Sequence, residues 1–110
     1  MIRPLNTSVS AVFSAAGIAR ARIGPTVYGE NWRIRRMTVS TTSSVDTDVR
    51  VYLNSEIDTQ LVAGSFSGNQ DFNETDLTLQ TLDNLIVVWV GGTIGANASF
   101  LLQGTVEDSR

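Results

Sequence analysis

The sequence predicts an all-β fold: an antiparallel β-sandwich or jelly roll of about eight strands, led by an extended N-terminal arm. Three observations carry this expectation. Apolar and polar residues alternate with period two through most of the chain, and β-branched residues fill the alternating stretches. Clusters of Gly, Asn and Asp interrupt the alternation at short intervals. No segment sustains the 3.6-residue period of an amphipathic helix.

The strands read as 9–13, 17–23, 32–40, 48–53, 59–63, 76–80, 85–90 and 98–106. Gly24-Pro25, Gly29-Glu30-Asn31, Asn54-Ser55, Gly64-Ser65, Gly68-Asn69, Asp83-Asn84 and Gly91-Gly92 mark the turns between them. Residues 1–16 contain Pro4 and a Ser/Thr-rich stretch in which only Val9, Ala11 and Phe13 keep phase, so they read as an arm and 17–110 as the sandwich domain. By itself such an arm would fray; if ordered, it lies on its own sheet or on a neighbour. Leu53, Leu79, Val87, Trp89 and Phe100 are the expected core, from their parity within their strands.

At 110 residues the chain has the size of one domain. No apolar run approaches the ~20 residues of a membrane helix, so no membrane partner is expected. Arg3 followed by the weakly apolar Val9 to Ile18 and by Ala19-Arg20-Ala21 imitates a secretory signal, but Ser10 and Ser14 dilute the apolar stretch, and no export signal is expected.

The inventory is most informative in what it lacks. The chain has no His, no Cys and no Lys; all eight basic residues are Arg. The commonest general base and metal ligand is therefore missing, as are the thiolate and the Schiff-base amine. Only Asp and Glu remain for acid–base work, and the Ser hydroxyls have no His to activate them. The expectation is a non-enzymatic protein without cofactor or metal. Asn69-x-Asp71-x-Asn73 opens like a calcium loop, yet Glu74 stands where that loop needs Gly; a solvated turn accounts for Asp71, Glu74 and Asp76 better than a weak calcium site. Gly91-Gly92-Thr93-Ile94-Gly95 lacks the Lys and the helix of a phosphate cradle.

Two features ask for a partner. Leu85-Ile86-Val87-Val88-Trp89-Val90 is apolar on both faces, with Leu85, Val87 and Trp89 on one side and Ile86, Val88 and Val90 on the other. A two-layer sandwich buries one face of each sheet, so the second row calls for the arm, a second subunit or another protein. The other feature is charge. Residues 1–36 hold six Arg against the single acid Glu30, whereas the remainder holds two Arg against ten acids, and the whole chain has a net charge of −3. If 17–23 and 32–40 form a hairpin, Arg20, Arg22, Arg33 and Arg35 share one solvent face, with Arg22 opposite Arg33 and Arg20 opposite Arg35. Like charges so placed destabilise a sheet and demand acids, either from the same chain or from a docking partner that forked guanidinium groups would orient. A nucleic-acid surface built from these arginines with Trp32 and Tyr28 conflicts with the acidic pI of about 4.7 and the absence of Lys, so no nucleic-acid partner is expected. Tyr28, Tyr52, Trp32 and Trp89 are the aromatic platforms a sugar would need, but both Trp residues keep phase with the core.

The segments IGPTVYGENWRIRRMTVSTTS, VRVYLN, GSFSGNQD and LTLQTLDNLIVVWVGGTIGANASF, which together span residues 23–100, resemble small proteins encoded by tailed phages of actinobacteria, in particular capsid decoration (cement) proteins. The resemblance implies a virion location, a jelly roll or sandwich, homo-oligomers with a trimer favoured, and contact with the major capsid protein or another virion protein. It lies in the pattern of turns and strands and brings no diagnostic binding residue. A tail-associated or host-surface carbohydrate-binding module is the alternative.

Overall fold

The computed structural model describes residues 2–25, 29–67 and 70–108. Eight antiparallel strands run through them: β1 (Ile2–Val12), β2 (Ile18–Ile23), β3 (Glu30–Thr41), β4 (Asp48–Leu53), β5 (Leu61–Ser67), β6 (Gln70–Leu79), β7 (Leu85–Val90) and β8 (Asn97–Asp108), with one 3-10 turn at Asp58–Gln60. They form two four-stranded sheets, sheet A in the order β1-β8-β3-β6 and sheet B in the order β2-β7-β4-β5.

This order is that of a jelly roll. The ladders β1·β8, β2·β7, β3·β6 and β4·β5 make the chain one long antiparallel ribbon doubled back between β4 and β5. Winding that ribbon adds the closing ladders β3·β8 and β4·β7. All-β, antiparallel and two-layered, the molecule has the predicted fold class, and the topology selects the jelly roll among sandwiches.

The core lies between the sheets. From sheet B come Leu85, Val87 and Trp89, each at 0% exposure, and from sheet A Ile34, Met37, Val39, Leu79, Phe100 and Leu102, also at 0%. Leu53 packs against this cluster while partly exposed. Trp89 is flanked in its sheet by Ala19 and Val49, small or β-branched neighbours that leave room for the indole. Its Nε1 donor has no hydrogen-bond partner among the described residues.

Three departures from the sequence reading have physical causes. Residues 1–16 are not an appended arm: residues 2–12 are an edge strand paired with β8 along its whole length. Leu5 and Phe13, exposed by only 7% and 2%, plug its odd-numbered face into the core, while Asn6, Ser8 and Ser10 face solvent. β6 begins at Gln70, well before the expected 76, because an edge strand tolerates the polar stretch that a central one would reject. Third, β3 carries a β-bulge between Ile34 and Arg36, so that Trp32 and Ile34 point inward, and so do Met37 and Val39. The parity jump in the apolar residues from 34 to 37 is the sequence mark of this bulge. Gly104 of β8 sits opposite, where any Cβ would collide with the backbone carbonyl of Arg33.

Glu30 ties the N-terminal edge to the sheet. It is 9% exposed, accepts from Trp32 Nε1 (3.3 Å) and from Arg3 Nη2 (2.8 Å), and its backbone carbonyl accepts from the Thr81 hydroxyl (3.1 Å). The carboxylate thereby satisfies the buried indole donor of Trp32 and anchors the start of β1.

Two outcomes follow for chemical denaturation. Trp89→Ala should cost about 3–5 kcal/mol, whereas Trp89→Phe should cost clearly less, because it keeps an aromatic ring and removes the unpartnered donor. Glu30→Ala should cost about 1–3 kcal/mol, chiefly by orphaning the Trp32 N–H.

Candidate partner-binding surface

Because Leu85, Val87 and Trp89 point into the core, strand geometry turns Ile86, Val88 and Val90 onto the outer face of sheet B. The ladders then set their neighbours in three rows: Arg22, Ile86 and Tyr52; Arg20, Val88 and Arg50; Ile18, Val90 and Asp48. The result is an apolar stripe along β7 with arginines on both sides.

This stripe is better covered than the alternation suggested. Ile86, Val88 and Tyr52 are buried at 4%, 9% and 9% exposure and form a small second cluster with Ile18; only Val90 is substantially open, at 49%. Long flanking side chains account for this: the stems of arginine cover apolar surface while the guanidinium stays wet. Two shallow hollows border the stripe. One, of about 280 Å3, is lined by Asp48, Arg50, Tyr52, Val88 and Val90. The other, of about 260 Å3, is lined by Arg20, Ala21, Arg22, Glu56 and Ile86.

Arg20 Nε donates to Glu56 Oε1 at 2.8 Å. Among the described residues neither Arg22 nor Arg50 makes an ion pair within the molecule. This face thus presents two uncommitted guanidinium groups flanking the β7 stripe.

The four arginines expected on one face are divided between two. β2 pairs with β7 and β3 with β6 and β8, so no β2–β3 hairpin exists. β2 and β3 belong to opposite sheets. Arg20 and Arg22 lie on the outside of sheet B, and Arg33 and Arg35 lie on the outside of sheet A, with the core between them. Arg33 is already engaged, its Nε and Nη2 donating to the two carboxylate oxygens of Asp76 at 3.0 and 3.2 Å. Arg35 Nη1 stands 4.0 Å from the same carboxylate. Arg36, which the bulge also turns outward, lies over the Phe72 ring at 4.0 Å. Arg50 is the residue that sequence reasoning missed; its signal was the outward position between Val49 and Val51.

The outer face of sheet A differs in character. Ser10, Ser99, Ser40 and Gln70 form one row across all four strands, and Asn6, Gln103, Arg36 and Glu74 form another. Its hollow of about 310 Å3 is lined by Asn31, Arg33, Asp76, Thr78 and Glu107. Among the described residues no group of three or more acids could hold a metal ion. Tyr28 and Asn69, considered above for sugar and calcium binding, lie outside the described residues.

No protein-family model matches the chain, and no curated protein matches it. Solved structures do. PirA superposes with a TM-score of 0.50 at 7% identity, covering 88% of this chain and 92% of PirA. PliG of Aeromonas hydrophila, a periplasmic inhibitor of g-type lysozyme, gives a TM-score of 0.46 at 11% identity, with 93% of this chain and 85% of PliG covered. A structure of infectious bursal disease virus, Gt strain, gives 0.32 at 13% identity, over 96% of this chain and 31% of the viral one. At such identities the likeness to PirA concerns the fold alone.

The Asp76 carboxyl is held below the usual carboxylate range, first by the hydrogen bonds from Arg33 and then by its charge. A depressed folded-state value means that whatever this pair adds to stability is present above the ordinary carboxylate range and is lost as pH falls through the depressed value. Both side chains are more than half exposed, so the gain is small. In an NMR titration Asp76 should titrate below the ordinary value of about 3.9, and Arg33→Gln should move it back upward.

Proposed function

We propose that this protein is a non-enzymatic structural component of a virion that decorates or stabilises the capsid, docking the outer face of sheet B on the major capsid protein, and that it acts as a homo-oligomer. The observation that carries the reading is the composition of that face: an apolar stripe of Ile18, Ile86, Val88 and Val90, with Tyr52 beside it, flanked by Arg20, Arg22 and Arg50. Arg is a residue that protein interfaces favour, and forked guanidinium groups orient on carboxylates. The surface is a sheet face with shallow hollows, a shape that suits another protein better than a small substrate. Throughout the chain the absence of His, Lys and Cys removes the usual catalytic groups. The phage and capsid parts of the proposal rest on the sequence resemblance. Jelly rolls occur in viral capsids and in lectin domains alike, so the fold is compatible with either assignment.

A host-surface or tail-associated carbohydrate module would use Tyr52 as its stacking platform on this face, yet Tyr52 offers only 9% of its surface. The acidic-protein reading is therefore the stronger one.

The test is charge reversal on one face with a control on the other. Arg22→Glu/Arg50→Glu should weaken binding to undecorated particles roughly a hundredfold, since like-charge juxtaposition at an interface costs several kcal/mol. Arg33→Glu, on the opposite face, should leave binding close to the unaltered level. Binding should also weaken as salt rises, if the arginines meet acids at an accessible rim. Unchanged particle binding by the sheet B variant would refute the proposal, and binding to host envelope or to DNA in place of particles would replace it.

A further inference from the structure

The molecule has four sheet edges, and they differ in how they are protected against pairing with another chain. β2 carries Arg20 and Arg22; β6 carries Asp71, Glu74 and Asp76. β5 pairs with β4 through two register shifts, which break its regularity. Charges and bulges of this kind are what natural edge strands use to stay single. β1 has none of them beyond its first turn of chain. Arg3 is held by Glu30, and from Pro4 to Val12 there is no charged residue and no register shift.

The direction of its backbone groups is also fixed. Phe13 N–H donates to the Ala96 carbonyl at 3.0 Å, in register with the β1·β8 ladder. Odd-numbered residues therefore direct their N–H and C=O toward β8, and even-numbered residues direct theirs away from it. Pro4, which has no N–H, falls among the even residues, where edge prolines belong. The outward donors and acceptors of Asn6, Ser8, Ser10 and Val12 meet no strand among the described residues.

We propose that this edge is a homotypic pairing site, at which β1 of one copy joins β1 of a second copy antiparallel about a two-fold axis at Val9, making one eight-stranded sheet from two sheets A. The proposal rests on reading the chain as a self-associating structural protein and names the surface through which it associates. Three features favour a second copy over an unrelated strand. An antiparallel partner centred on Val9 sets Ser8 opposite the partner's Ser10 and Asn6 opposite the partner's Val12, so every outward N–H from 6 to 12 meets an outward C=O. Moving the centre to Ser8 would bring Pro4 opposite Val12 and leave the Val12 carbonyl without a donor, whereas about Val9 every outward group from 6 to 12 is paired. The segment is neutral, so two identical strands meet without the like-charge opposition that β2 or β6 would impose. Ser8 and Ser10 are exposed on the same face and become hydrogen-bonding cross-strand pairs in the dimer. An isologous contact of this type closes at two copies, in contrast to the trimer implied by the sequence resemblance.

The test combines sedimentation with amide hydrogen exchange on the full chain. With rising concentration the chain should pass from monomer to dimer. The amides of Asn6, Ser8, Ser10 and Val12 should slow roughly tenfold when about nine-tenths of the chains are paired, because only unpaired chains exchange. The amides of Thr7, Val9 and Ala11, bonded to β8 throughout, should not change. A Ser8→Lys/Ser10→Lys variant should stay monomeric with an unaltered fold, as should Ser8→Glu/Ser10→Glu, and mixing the two should restore a dimer. Ser8→Pro, which removes only an outward donor, should likewise remain monomeric. A native chain that stays monomeric at millimolar concentration, a trimer, a dimer that survives the lysine pair, or a mixture that does not associate would each overturn the proposal. Particle binding by the Arg22→Glu/Arg50→Glu protein is read separately, so failure at the edge and failure at the sheet B face are distinguishable.

Discussion

Trp89 sets the parity of sheet B. Its indole is wholly buried, between Ala19 and Val49 in its own sheet and against the residues of sheet A. Once that ring points inward, period-two geometry sends Ile86, Val88 and Val90 outward, and the ladders carry Arg20, Arg22 and Arg50 outward with them. A slip of one residue in β2 or β4 would place arginines against the core, an arrangement that is costly without a buried acid to pair them. The core and the candidate docking face are thus two consequences of one packing choice.

The same choice has a cost that the fold accepts. Among the described residues Trp89 Nε1 has no hydrogen-bond partner, whereas Trp32, the other indole of the core, donates to Glu30. The two rings differ in position: Trp32 lies near one end of β3, where a carboxylate can be only slightly exposed and still be reached by Arg3, while Trp89 is enclosed by apolar residues. Shape complementarity outweighs donor satisfaction at the second site.

A jelly roll leaves two outer faces and four edges, and this chain treats them unequally. Sheet A presents rows of Ser, Thr, Asn and Gln and an arginine already bound to Asp76; sheet B presents an aliphatic row with Arg22 and Arg50 unpaired among the described residues. Charge marks the β2 and β6 edges, irregular pairing marks β5, and β1 is regular and, past Arg3, uncharged. Association through the β1 edge and docking through the sheet B face use different groups and do not compete, so a paired molecule could still offer both of its sheet B faces to a larger surface.

What the sequence determined by itself was local. Alternation set which way each side chain points along a strand, because successive Cβ atoms take opposite sides whatever the strand pairs with. The existence of eight strands, the inward residues Leu79, Val87, Trp89 and Phe100, and the outward arginines were all legible on that ground. Strand partnership was decided only by the tertiary structure. An alternating segment, a Gly-Pro turn and another alternating segment look the same whether the chain makes a hairpin or crosses to the opposite sheet, so Arg20 and Arg22 could be placed outward but not on which sheet. The N-terminal segment posed the same difficulty. Its few apolar residues are too sparse to mark a strand alone, and β8, nearly the whole chain away, supplies the ladder that makes it one. Pairing is settled by closure of the wound ribbon, a property of contacts distant in sequence, and no local pattern of residues encodes it.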